Sequence, residues 1–300
     1  MKKCHIVVSI TVLFICVGFS ADWHYYILES GHYGSNAIDL DSNNNPHILY
    51  YDWGNGILRY AYYDGDEWIY DTISDPDYWY GDGLDLVLDE SDHPNISFHE
   101  WNHGDLYYGY KEGDEWVTVM IGSYEGDAGL DNSISLDSDN YPHIAYNHDV
   151  YEPSGRDLRY AYFDGEEWHI EVVDDENRYQ GWFCSIALDS NDYPHIAYRK
   201  RDDHGNKYLS YAYWDGDSWN KEIVDELGDA VDNFTSIDVD SDNHPHIAYK
   251  SHNLRLKYAY HDGEEWKTEL VDNGCEGDLS MKLDNNDYPH IAYSGYDEWQ

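Results

Sequence analysis

The chain has 300 residues, of which 17 are Lys or Arg and 61 are Asp or Glu, giving a formal net charge of −44. That balance excludes nucleic acid and an anionic membrane face as partners, because neutralising phosphates requires clustered cations. The chain is nevertheless rich enough to bury a core: 41% of residues are hydrophobic and 17% aromatic, with 32 Tyr and 12 Trp against 6 Phe.

Residues 1–21 read as an export signal. Lys2 and Lys3 precede an apolar run from Ile6 to Phe19, and small Ser20 and Ala21 then meet polar Asp22. The run is short for a membrane span, so cleavage near Ala21 is expected, with an uncleaved anchor as the alternative. Residues 22–300 would then be one domain without a membrane span, located in the periplasm, at the cell surface or in the medium. Of the four cysteines, Cys184 and Cys275 would remain, in repeats not expected to touch, so free buried thiols are expected.

From residue 22 onward the sequence repeats itself. The phrase Leu136-Asp137-Ser138-Asp139-Asn140-Tyr141-Pro142-His143-Ile144-Ala145-Tyr146 has counterparts around Pro46-His47, Pro194-His195, Pro245-His246 and Pro289-His290, with Pro94-Asn95 in the second copy. A second phrase, Leu158-Arg159-Tyr160-Ala161-Tyr162-Phe163-Asp164-Gly165-Glu166-Glu167-Trp168, follows in step. Its Trp recurs at Trp68, Trp116, Trp168, Trp219 and Trp266, 47 to 52 residues apart. Each copy predicts four short strands. The third copy places them at 133–137, 142–147, 158–163 and 168–173, with an Asp/Ser/Asn/Pro turn after the first and an Asp-Gly hairpin after the third. No segment holds a helical period. Six units of about 50 residues with four antiparallel strands each predict an all-β, six-bladed β-propeller. Residues 22–29 (Asp-Trp-His-Tyr-Tyr-Ile-Leu-Glu) match a fourth strand, while the last copy stops soon after Tyr293. The N-terminal strand is therefore expected to complete the last blade and close the ring; Ser294 to Gln300 is too short for a normal third strand and its loop, so either the last blade is abbreviated or the chain is a fragment of a longer array.

These phrases resemble secreted bacterial propeller repeats related to the sialidase-type and fungal fucose-specific lectin propellers. In the lectins, as the resemblance implies, sugar sits between blades against an Arg, a Glu and an aromatic wall. By register this sequence offers His47, His143, His195, His246 and His290 on the second strands and Tyr60, Tyr108, Tyr160, Tyr211 and Tyr258 on the third. The Arg/Glu pair is missing, and the sialidase repeat box Ser-x-Asp-x-Gly-x-Thr-Trp is only partly echoed by Asp-Gly-x-x-Trp.

Chemistry that occurs once per chain belongs where one repeat differs from the rest. Features shared by all copies are structural or belong to a multivalent binder. By that rule Asp41, Asp89, Asp137, Asp189, Asp240 and Asp284, five of them followed six residues on by His, read as hairpin locks ahead of acid–base pairs. The repeated Trp reads as a blade-packing anchor. The acidic turns offer calcium candidates in Asp137, Asp139, Asp240 and Asp242, although they lack the Gly and distal Glu of an EF-hand; no other cofactor is implied. Sugar-stacking candidates lie in the loops before the first strands and between the second and third: Trp53, Trp79, Tyr80, Trp101, Tyr124 and Trp182, with His143, Tyr160, His195 and Tyr211 as repeated contacts. Asn95-Ile96-Ser97 and Asn233-Phe234-Thr235 are glycosylation sequons if the source is eukaryotic. The expected function is a non-enzymatic, multivalent binding propeller whose partners are glycans or cell-surface proteins. The alternatives are a sialidase-like glycoside hydrolase and a protein-binding or structural propeller.

Overall fold

The computed structural model describes residues 12–17, 24–30, 33–73, 80–122, 126–151, 154–176, 179–225 and 233–295, and among these it contains no helix. Strands β1 (Val12–Val17) and β2 (His24–Ser30) form a hairpin. Blade one is β3 (Tyr33–Leu40), β4 (Pro46–Asp52), β5 (Ile57–Tyr63) and β6 (Trp68–Thr72). Blade two is β7 (Tyr80–Leu88), β8 (Pro94–Glu100), β9 (Asp105–Glu112) and β10 (Glu115–Gly122). Blade three is β11 (Gly126–Leu136), β12 (Pro142–Tyr151), β13 (Ser154–Phe163) and β14 (Trp168–Asp174). Blade four is β15 (Trp182–Leu188), β16 (Pro194–Arg201), β17 (Lys207–Trp214) and β18 (Trp219–Asp225). Blade five is β19 (Asn233–Val239), β20 (Pro245–Ser251), β21 (Arg255–His261) and β22 (Trp266–Asp272); β23 (Cys275–Leu283) and β24 (Pro289–Gly295) begin blade six.

Each full blade is an antiparallel meander in chain order, and the first strand of each blade packs on the first strand of the next. The expected all-β propeller is therefore present as five full blades and a two-stranded sixth. The turn chemistry explains the first hairpin of every blade. Its fourth residue takes a left-handed backbone, with φ of 62–66° at Asn44, Asp92, Asn140, Asp192, Asn243 and Asp287, a conformation that Asn and Asp tolerate best after Gly. These residues also bind blade to blade. Ser138 donates both N–H and hydroxyl to Asp192 of the next blade, at 2.9 and 2.7 Å, and Ser42–Asp92 and Ser241–Asp287 repeat the contact.

Blade faces are sealed by aromatics. In blades two to five the Trp near the start of the fourth strand stands edge-on to the third-strand Tyr of the preceding blade: Tyr60–Trp116, Tyr108–Trp168, Tyr160–Trp219 and Tyr211–Trp266 have centroids 5.2–5.4 Å apart. The repeated Trp is thus a packing anchor. Beside it, Ile134, Ile186 and Ile237 of the first strands are buried against the same tyrosine wall. Cys184 and Cys275 are free and buried, as expected.

Among the described residues one seam is open. Ile38, the blade-one counterpart of those isoleucines, is 45% exposed, and Leu40 beside it is 51% exposed. His290, whose counterparts are buried, is open to solvent on β24. These faces lie where outer strands of blade six would sit. The expected pairing of residues 22–29 into that blade is not among the pairings of the described residues, because β2 pairs with β1, with Val17 opposite His24 and Ile15 opposite Tyr26. A connection of six residues makes that hairpin cheap in loop-closure entropy while residues 12–17 remain attached.

Candidate functional site

The two ends of the blades differ in kind. At one end the repeated Asp residues are occupied by their own turns. Asp137 accepts from the N–H groups of Asp139 and Tyr141 at 2.9 and 2.7 Å, and Asp240 does the same with Asp242 and His244. Their second oxygens face His143 and His246 at 3.4 and 3.2 Å. Among the described residues the three-ligand grouping is Glu100, His103 and Asp105, not the calcium candidates Asp137, Asp139, Asp240 and Asp242. Glu100 itself is taken up by its loop, accepting from the N–H groups of Asn102 and His103.

The repeated His and Tyr are interior. His143 shares a hydrogen bond through Nδ1 with the Tyr160 hydroxyl, and His195 does so with Tyr211; all four are buried. Burial depresses both imidazoles, against the opposing carboxylates of Asp137 and Asp189, and raises both phenols. In blade two Asn95 takes the place of His and accepts from Tyr108. The structure therefore puts His143, Tyr160, His195 and Tyr211 inside the blade seams as pairs that satisfy each other. Propeller blades cover both faces of a strand, so alternation along the sequence could not separate a ligand face from an interior one.

At the opposite end lie the loops before the first strands and between the second and third. Trp53 and Trp101 are exposed there, edge-on to Tyr51 and His99 at 5.0 and 5.7 Å. Trp79 and Tyr124 fall outside the described residues; Tyr80 starts β7, and its side chain also lies outside them. Beneath this rim the repeats diverge at one register. Directly after the Tyr or Phe of the second strand in each full blade come Tyr51, His99, Asn147, Arg199 and Lys250, all buried, each opposite a third-strand Leu. Sequence reasoning missed this position. The signal was present, since an otherwise repeated phrase changes chemistry at a single residue.

The most singular group sits between blades three and four. The Arg156 guanidinium carbon lies 3.7 Å from the Trp182 ring centroid and that of Arg199 lies 4.7 Å from it, with Arg199 also 4.8 Å from Phe183. Arg201 lies 5.2 Å from the ring of Tyr179. One segment, Tyr179 to Trp182, joins them: Gln180 N–H donates to the Arg156 carbonyl at 3.0 Å, and Arg201 N–H donates to the Tyr179 carbonyl at 3.1 Å. Gly181 lets it lie flat, because a Cβ there would come within 3.0 Å of Leu158 Cα and 3.1 Å of the Asp157 carbonyl. Asp149 accepts from Arg156 Nε at 3.0 Å, and the terminal nitrogens of Arg156 have no hydrogen-bond partner among the described residues.

Two features mark this group as more than packing. Gln180 is fully buried, yet neither its amide nitrogen nor its amide oxygen has a partner among the described residues. Burying such an amide costs about 1–3 kcal/mol unless something else bonds to it. Phe183 and Phe234 adopt left-handed backbones, with φ of 51° and 64°, at the first-strand bulge that Gly83 fills in blade two. A bulky residue there costs roughly 1 kcal/mol or more, and such strain clusters at functional positions. Their rings touch, with centroids 5.4 Å apart, and Trp182 continues the row.

No protein-family model and no curated protein sequence matches the chain. Solved structures do. The lectin of Aleuria aurantia, a six-bladed β-propeller, superposes with a TM-score of 0.57 at 14% identity, covering 89% of this chain and 89% of the lectin. A polysaccharide lyase acting on ulvan gives 0.60 at 14% identity, covering 84% and 73%. The alpha-L-arabinofuranosidase of Fusarium graminearum gives 0.57 at 9%, covering 85% of each chain. At these identities the likeness establishes the propeller fold, and it agrees with the resemblance to lectin-type and sialidase-type propellers drawn from the repeats.

Proposed function

We propose that this chain is an exported carbohydrate-binding propeller without catalytic turnover, and that its ligand site is the blade-three to blade-four group around Trp182. The observation that carries this reading is the conjunction, at one place on the rim, of a Trp–Phe row, guanidinium donors and an unpartnered buried amide. Sugars ask for that combination: the C–H face of the ring stacks on an aromatic while hydroxyls find fixed donors and acceptors. Structural neighbours named as a lectin, a lyase and an arabinofuranosidase support a saccharide as ligand. Binding is favoured over catalysis because the carboxylates at the group are engaged. Asp149 is held by Arg156, and Asp131 accepts from Asn147 Nδ2 at 3.1 Å. Export follows from the reading of residues 1–21 as a cleaved signal.

The test is a glycan array with the protein lacking residues 1–21, run beside a panel of fluorogenic glycosides. Binding that Trp182→Ala abolishes, without turnover, supports the proposal. Turnover that one point substitution abolishes overturns it in favour of a glycoside hydrolase.

A further inference from the structure

Arginine is scarce in this chain and unevenly placed. Five of the seven arginines fall between Arg156 and Arg201, in a protein of net charge −44. Four of those five are described, and three of them, Arg156, Arg199 and Arg201, lie against aromatic rings of the single segment Tyr179–Phe183. The other blades place Tyr, His, Asn, Lys or Ser at the register of Arg199, so this concentration is a property of one seam and not of the repeat.

Resting on the carbohydrate reading above, we infer that the ligand of this site is an acidic saccharide whose carboxylate is taken by Arg156, with the Gln180 amide bonding beside it and the sugar ring against Trp182. The guanidinium of Arg156 is fixed on one side only. Its Nε is held by Asp149 at 3.0 Å and its central carbon lies 3.7 Å from the indole centroid, which leaves the terminal nitrogens as the donors unpartnered among the described residues. A guanidinium oriented in this way presents donors suited to the two oxygens of a carboxylate. Gln180, a buried amide with no partner for either atom among the described residues, belongs to the same backbone-bonded unit, because its own N–H bonds the Arg156 carbonyl. A neutral sugar would satisfy the aromatic row but leave the guanidinium unmatched. Elsewhere the acidic surface repels anions, so these cations also make the seam the place where a negative ligand is tolerated.

The experiment is calorimetric titration of the protein lacking residues 1–21 with a uronic-acid oligosaccharide, with its carboxyl-reduced neutral counterpart and with a sulfated neutral oligosaccharide. The acidic sugar is expected to bind at least ten-fold more tightly than the other two. Arg156→Met should remove that preference, bringing acidic and neutral forms to similar affinity, and Trp182→Ala should weaken both. Arg156→Lys, which keeps the charge but not the fork, should recover only part of the preference; its melting temperature and that of Arg156→Met show whether each variant is folded. Equal binding of acidic and neutral sugars, unaffected by Arg156→Met, would overturn the carboxylate assignment and leave the carbohydrate reading standing. Tighter binding of the sulfated sugar would overturn it in favour of a sulfate site. Absence of binding by all three sugars, together with a silent glycan array, would overturn both.

Discussion

The Trp219 ring stands edge-on to Tyr160 of the preceding blade, centroids 5.3 Å apart, while its indole N–H donates to Glu171 of that blade at 2.8 Å. Trp266 repeats the arrangement on Tyr211 and Glu222. One side chain thus fills the seam and anchors its rim, so its loss should be felt across two blades. Trp219→Ala is expected to cost about 3 kcal/mol, and Trp219→Phe, which keeps a ring but strands Glu171, about 1 kcal/mol. Urea unfolding of the two variants against the parent checks the ranking; equal midpoints for all three would contradict the anchor role.

Gly83 and Gly65 both have positive φ, of 68° and 102°, yet they should respond differently to Ala. A Cβ on Gly83 would lie 2.4 Å from the Leu130 carbonyl oxygen and 2.5 Å from that of Gly129, backbone atoms of the next blade that cannot step aside. A Cβ on Gly65 meets nothing within 4 Å. Gly65→Ala should therefore cost only backbone strain, roughly 1 kcal/mol, while Gly83→Ala should cost several times more or prevent blades two and three from docking. Thermal melts of the two variants decide it.

Much of the fold was legible because the sequence states it six times. The Trp spacing gave the blade size, and the Asp-Ser-x-Asn turns and Asp-Gly hairpins marked the strand ends. The site was harder to read. Arg156 lies on β13 and Arg199 and Arg201 on β16, more than forty residues away, and only the path of Tyr179–Trp182 across both strands joins them. No local pattern encodes that path. His143 and Tyr160 present the opposite case. Their periodicity was real, but it encodes a hydrogen bond within the blade interior, which a repeat displays as strongly as it would a set of ligand pockets.

The same histidines predict how stability depends on pH. Burial, as the largest cause, lowers the folded-state pKa of His47, His143 and His195 below the ordinary value of 6.5. Below that value the unfolded chain takes up protons that the folded chain refuses, so stability falls as pH drops from 7 toward 5 and is regained on return. Blade two supplies the control, since Asn95 serves Tyr108 without titrating. The double variant His143→Asn, His195→Asn should keep most of the pH 7 stability and show a shallower decline of melting temperature. A parent protein whose melting temperature is flat from pH 7 to 5 would exclude the assignment.

Closure of the ring also has a measurable consequence. The faces of Ile38, Leu40 and His290 are open while β2 is held by β1. In a form lacking residues 1–21, β2 would lose that partner, and we propose that it then joins blade six. Removing residues 22–30 as well should lower the melting temperature of that form by several degrees. Amide exchange in β24 should speed up at the same time. An unchanged melting temperature would reject the closure.

Salt and chelators should act on this protein in different ways. A net charge of −44 means a large excess of carboxylates over cations, and screening their mutual repulsion stabilises the compact state. Sodium chloride is therefore expected to raise the melting temperature steadily between low and moderate ionic strength. A specific calcium requirement is not expected at Asp137 or Asp240. Each already gives one oxygen to two turn amides and faces its second toward a His, which leaves too few free ligand atoms for a hard cation that takes 6–8 oxygens. EDTA at constant ionic strength should thus leave the midpoint unmoved. Asp137→Asn, which retains the acceptor oxygen, should be milder than Asp137→Ala, which loses the turn cap at a cost of about 1 kcal/mol. A fall of the midpoint in EDTA, restored by calcium but not by sodium, would instead show that the acidic turns hold a metal.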